Sequence, residues 1–146
     1  MKLYQALKAK KKMAAELSQL WQKLHGSNSI LKGSERNYDP RTTWDEINKK
    51  SDELIVLKVS IQTANKPILE RIYRIAELKS KASSLKSLNT RNGLESSRSH
   101  YGTDVVPCEY ESIIKQTEVD ILISGIEAEI TKLQDEIEQY NFTTEL

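Results

Sequence analysis

His25 and His100 are the only histidines of the chain, and Cys108 is its only cysteine. A histidine metal site needs a second ligand at a fixed spacing, as in HExxH or ExxH. Neither histidine stands in such a pattern. His25 falls at a helix end, where an imidazole can cap the last carbonyls. Cys108 follows Pro107 with no motif partner to serve as its base, which argues against a nucleophile. The many carboxylates near the end of the chain, Glu127, Glu129, Asp135, Glu136 and Glu138, fall mainly outside the apolar row of their segment. Catalytic or metal-binding carboxylates in a helical bundle project inward, so these read as a solvated face. Gly93 and Gly102 are isolated, and there is no phosphate-binding or dinucleotide fingerprint. The expectation is a protein that is not an enzyme, with no catalytic, cofactor-binding or metal-binding residues and no cofactor.

One run could do binding chemistry. In KAKKKM (8–13), Lys8, Lys11 and Lys12 could neutralise phosphates without reading sequence. They sit on the outer face of a helix, where solvent or an acidic partner helix is the plainer companion. Lys10 falls on the apolar row itself, and a polar residue there can set register or oligomeric state. Nucleic acid is therefore disfavoured as a partner. A nucleic-acid or anionic-surface binder acting through this basic helix is the alternative reading.

The rest of the chain must position these residues. It has 146 residues, 29% of them charged and only 6% aromatic, with five glycines and three prolines. That composition favours long amphipathic helices in one domain. Hydrophobic content of 38% suits narrow seams between helices better than a thick core. Net charge is +1, but unevenly spread. Residues 1–25 carry six lysines against Glu16 alone, a net +5, while residues 109–146 carry ten acids against Lys115 and Lys132, a net −8. Pairing the two segments would relieve both self-repulsions, so the first helix is expected beside the last. Lysines interrupt the N-terminal stretch at every turn, and one cysteine forms no internal disulfide; a cytoplasmic location is expected. VDILISGI (119–126) is far too short for a membrane span.

Four helices are predicted, over about 2–25, 43–64, 67–88 and 109–140. The first has Leu3, Leu7, Lys10, Ala14, Leu17, Trp21 and Leu24 spaced 4, 3, 4, 3, 4, 3, widened by Ala6, Met13 and Leu20. Gly26 is its expected left-handed stop. Thr43-Trp44-Asp45-Glu46 matches a capping box for the second. Asn65-Lys66-Pro67 suggests a turn near 63–66, with a new helix from Pro67. Residues 89–108 lack a helical period and read as an arm, with a short β-ribbon around 101–106 pairing with part of 28–38 as a guess. In the last helix, Val119, Ile123, Ile126, Ile130, Leu133, Ile137 and Tyr140 keep the heptad rhythm. Asn141 suits a left-handed exit, after which Phe142 could fold back onto the seam as a cap or reach a partner. Trp21 and Trp44 lie on apolar stripes and read as core anchors.

The opening residues Leu3, Ala6 and Leu7, Asn65 within the central helical pair, Ser97-Arg98-Ser99 and the closing Asn141-Phe142-Thr143-Thr144-Glu145-Leu146 together resemble the septicolysin-like family. These are small bacterial helical proteins that commonly finish in an NWTTEL-like hexapeptide. The resemblance runs along nearly the whole chain, and its family name implies a cytolytic effector, the second alternative.

The reading is thus all-α: a single domain forming an elongated four-helix antiparallel bundle with coiled-coil-like packing. A non-helical arm (89–108) precedes the last helix, and a tail (141–146) closes the chain. The expected function is non-enzymatic, a self-associating assembly or interaction protein, most simply a homo-oligomer. Its expected interaction residues are Lys10, Trp21, Ile123, Ile126, Ile130, Leu133, Ile137 and Phe142.

Overall fold

A computed structural model describes residues 1–98 and 105–146. Helix α1 (Leu3–Asn28) is followed by α2 (Pro40–Asn65), one 3₁₀ turn (Lys66–Ile68) and α3 (Leu69–Lys86). Strands β1 (Gly93–Arg98) and β2 (Val105–Tyr110) precede α4 (Gln116–Thr143). The protein is mostly helical, with a small two-stranded sheet before its last helix.

The turn predicted at 63–66 is absent. Asn65, Lys66 and Leu69 all keep right-handed helical backbone angles, and the Lys66 amide donates to the Thr63 carbonyl. α2 and α3 therefore follow one another through a single tightened turn, giving three helical runs among the described residues and not four. The physical reason lies in the apolar rhythm. Thr43, Ile47, Lys50, Leu54, Leu57, Ile61, Ala64, Ile68, Arg71, Ile75, Leu78, Ala82 and Leu85 step by four and three without a slip, and all are buried or half-buried. A reversal would have broken that phase. Pro67, which lacks an N–H, is accommodated by the 3₁₀ turn. Pro67→Ala gives residue 67 an N–H that could share the Thr63 carbonyl now held by the Lys66 amide, and should raise stability by less than about 1 kcal/mol, because the looser unfolded chain offsets the gain. Urea melting checks this. A loss of stability would mean that Ile68 depends on the tight turn.

Other boundaries move for identifiable reasons. α1 passes through Gly26 because Arg36 closes its end: Nε donates to the Ser27 carbonyl at 2.9 Å and Nη2 to that of Asn28 at 3.2 Å. The left-handed glycine of this connection is Gly33, at φ +91°. α2 starts at Pro40, not Thr43. Asp39 caps it, accepting from the Arg41 amide at 3.1 Å and the Thr42 hydroxyl at 2.8 Å. Those two bonds, Thr42 first, hold the Asp39 carboxyl below its ordinary value.

The chain divides into two compact units, Met1–Leu69 with Glu138–Leu146, and Glu70–Ile137. In the first, α1 and α2 form an antiparallel hairpin. Trp21 meets Trp44 near the connecting loop, Glu16 pairs with Lys50 midway, and Leu3 and Ala6 pack on Ile61 at the far end. Leu7, Leu57, Ala64 and Tyr140 close around that last cluster, and the Tyr140 hydroxyl donates to the Ala64 carbonyl at 2.9 Å.

In the second unit, Arg71–Glu136 and Lys86–Glu127 tie α3 to α4 antiparallel. β1 and β2 pair antiparallel, from Gly93 opposite Tyr110 to Arg98 opposite Val105. The ribbon therefore joins 93–98 to 105–110, not to part of 28–38, and the predicted start of the last helix at 109 belongs to β2. Asn92 ties the ribbon base to the start of α4, its Oδ1 accepting from the Ser112 amide at 3.2 Å and Lys115 Nζ at 3.0 Å. The expected arm residues Ser99, His100 and Tyr101 lie outside the described residues.

Candidate interaction site

The predicted interaction residues fall into three places. The α4 row is the clearest. Val119 is buried, and Ile123, Ile126, Ile130, Leu133, Ile137 and Tyr140 are each half-buried. They form one face because steps of three and four keep residues on one side of a helix. Nothing else in α4 is fully buried.

Lys10 and Trp21 come apart. Two rows in α1 have heptad spacing, and the buried one uses Leu3, Ala6, Met13, Leu17, Leu20 and Leu24; Ala14 is exposed. Lys10 is half-buried on that row and lines a shallow hollow with Leu7, Lys58 and Val59. Trp21 is not a core anchor. It is 42% exposed, edge-on to the equally exposed Trp44 with ring centroids 6.0 Å apart, and it also lies against His25 at 5.8 Å. A two-helix seam is too narrow for paired indoles, so they pack on its flank. Trp44 borders a cavity of about 820 Å³ beside the 29–39 loop, lined also by Leu24, His25, Arg36 and Arg41 among others.

The tail is the third place. α4 continues through Asn141 to Thr143, and among the described residues only glycines take positive φ. Asn141 therefore makes no left-handed exit, and Phe142 does not reach the seam. Its ring lies 4.6 Å from that of Tyr4, half exposed. Beyond it the last residues run antiparallel to the first. The Leu3 amide donates to the Thr144 carbonyl and the Leu146 amide to the Met1 carbonyl, both at 2.9 Å. Lys2 Nζ reaches Glu145 at 2.8 Å, and the Met1 amino group reaches it at 3.2 Å. Sequence reasoning missed this clasp, because its partners lie at opposite ends of the chain.

Lys2, and then the terminal amino group, hold the Glu145 carboxyl below its ordinary value of 4.5. A depressed carboxylate stabilises above the unfolded value and loses that contribution as pH falls through the folded one. Protection of the Leu3 and Leu146 amides, relative to intrinsic exchange, should therefore hold at neutral pH and fall below about 4.5. Glu145→Gln should remove this pH step. An unchanged step in that variant would assign it to another group.

Lys50 spans the α1–α2 seam to Glu16. The bond lowers the Glu16 carboxyl and raises the Lys50 ammonium, each chiefly through the other. Lys50 stands on the α2 row and Glu16 beside the α1 row, and a polar pair at such a seam can set register. His25 has the aromatic contact described and Cys108 is half-buried on β2. Among the described residues no group of three or more His, Cys, Asp or Glu side chains is placed to hold a metal ion. No helix searched is long and apolar enough to cross a membrane.

The chain matches no family model, no curated protein and no solved structure.

Proposed function

We propose that this protein is a non-enzymatic assembly or interaction protein that self-associates through its helical seams. The observation that carries the reading is the unfinished α4 face. Five aliphatic residues from Ile123 to Ile137 keep one heptad row, yet each stays only half-covered within one chain. A four-helix packing would then be completed between copies, with Lys10 and Glu16–Lys50 fixing register. The test is solution mass by light scattering at low and high salt. An oligomer at both supports closure between chains, and a monomer at both removes the reading.

A second reading, a polyanion or anionic-surface binder, is favoured by one observation. Residues 2–15 and 54–66, which pack together, hold seven lysines and no acid. Salt-sensitive retention on heparin would support it. The septicolysin-like resemblance rests on the residues that carry it, and a cytolytic role would require release of contents from liposomes.

A further inference from the structure

The Glu70–Ile137 unit pairs a basic helix with an acidic one. α3 carries five bases against Glu70 and Glu77, a net +3, and α4 carries seven acids against Lys132, a net −6. The charges are also sorted by position. On the α3 row, Ile75 and Ala82 take heptad a positions, and Arg71, Leu78 and Leu85 take d. Its flanking e and g positions are Ile72, Arg74, Lys79, Lys81 and Lys86, with no acid among them. On the α4 row, Ile123, Ile130 and Ile137 take a, and Val119, Ile126 and Leu133 take d. Between them the flanks are Asp120, Leu122, Glu127, Glu129, Gln134 and Glu136, with no base. The charges of minority sign, Glu70, Glu77 and Lys132, all fall at c and are exposed.

One chain uses part of this pattern. Lys86 reaches Glu127 and Arg71 reaches Glu136, while Arg74 turns to Glu70 on its own helix. Lys79 and Lys81 on α3, and Asp120 and Glu129 on α4, make no ion pair among the described residues. The apolar rows are equally unfinished: Ile75, Leu85 and the α4 row from Ile123 to Ile137 stay half-buried. Flanking charge selects which helix can lie on such a row. Two α4 helices side by side would set acid against acid, and two α3 helices base against base. Each row therefore fits the helix of the other kind.

We propose that a second copy of this chain supplies both helices. Its α3 lies antiparallel on α4, and its α4 on α3, about a two-fold axis that runs along the bundle. The four helices alternate basic and acidic around that axis, so every neighbouring pair repeats the α3–α4 pairing already made within one chain. The half-covered rows meet in the middle. This inference rests on the self-association proposed above and names its partner helices and its two-chain closure.

The test reverses exposed flanks and leaves the rows alone. Wild type should have the light-scattering mass of two chains. Lys79→Glu, Lys81→Glu and Lys86→Glu together should lower it towards one chain. Adding Asp120→Lys, Glu127→Lys and Glu129→Lys restores opposite flanks and should return the two-chain mass. Co-expressed with histidine-tagged wild type, this six-fold variant should not co-purify, whereas untagged wild type should. A mixed pair would set acid against acid at one seam and base against base at the other. A second measurement needs no variant: carbodiimide cross-linking of mixed labelled and unlabelled wild type should join Lys79 or Lys81 to an α4 carboxylate of the other chain. Free mixing of the six-fold variant with wild type, interchain links confined to other segments, or a wild type of more than two chains overturns this pairing and leaves self-association standing. A monomeric wild type overturns both.

Discussion

Ile61→Ala should lower the stability of the α1–α2 unit by about 3 kcal/mol. Ile61 is 4% exposed and sits between Leu3 and Ala6, with Leu7, Leu57, Ala64 and Tyr140 packed against the group. Removing three carbons there forfeits their transfer from water and leaves a void. The neighbours can refill it poorly. Ala6 has no length to give, and Tyr140 is held by its hydrogen bond to the Ala64 carbonyl. In a chain of this size, 3 kcal/mol corresponds to a fall in Tm of roughly 10 °C. Thermal and urea unfolding followed by circular dichroism measure it. A loss under about 1 kcal/mol would mean that the cluster relaxes freely and is not the anchor of this unit.

Ile126→Glu with Ile130→Glu is the second large effect. Both side chains are half-buried on the α4 row, four residues apart. Two carboxylates there would lose hydration, repel each other at i,i+4 spacing and lie beside Glu127 and Glu129. A cost of roughly 2 kcal/mol for each partly desolvated charge is reasonable. The variant should lose the self-association proposed above and much of its helical signal, because the same row serves its own chain. Ala128→Glu, exposed on the same helix, is the control and should leave the fold unchanged. A double variant that keeps both its mass and its helicity would rule out the row as an interface.

Much of the helical layout could be read from residue spacing, and the errors have separate physical origins. The α4 row is where the heptad rhythm puts it. The α2–α3 row was equally visible, but Asn65-Lys66-Pro67 outweighs it if proline is read as punctuation. An unbroken phase across a proline is the stronger signal, since one 3₁₀ turn absorbs the missing donor. In α1, two adjacent rows satisfy the same spacing, and the size of Trp21 points to the wrong one. Narrow seams take Ala6 and Leu20 and leave indoles on the flank. Asp39-Pro40 was a legible helix start hidden behind the capping-box match at Thr43. The clasp had no local signature at all.

That clasp also bears on the order in which the fold is completed. It joins Lys2 to Glu145, so its formation closes a loop of almost the entire chain. Folding Glu70–Ile137 first shortens that loop by nearly half, because Arg71 and Glu136 draw the ends of this stretch together. The saving in closure entropy is about 0.6 kcal/mol. Leu3 and Ala6 share their cluster with Tyr140, far along the chain, so that side of the opening turn of α1 stays uncovered until the last turns of α4 pack on it.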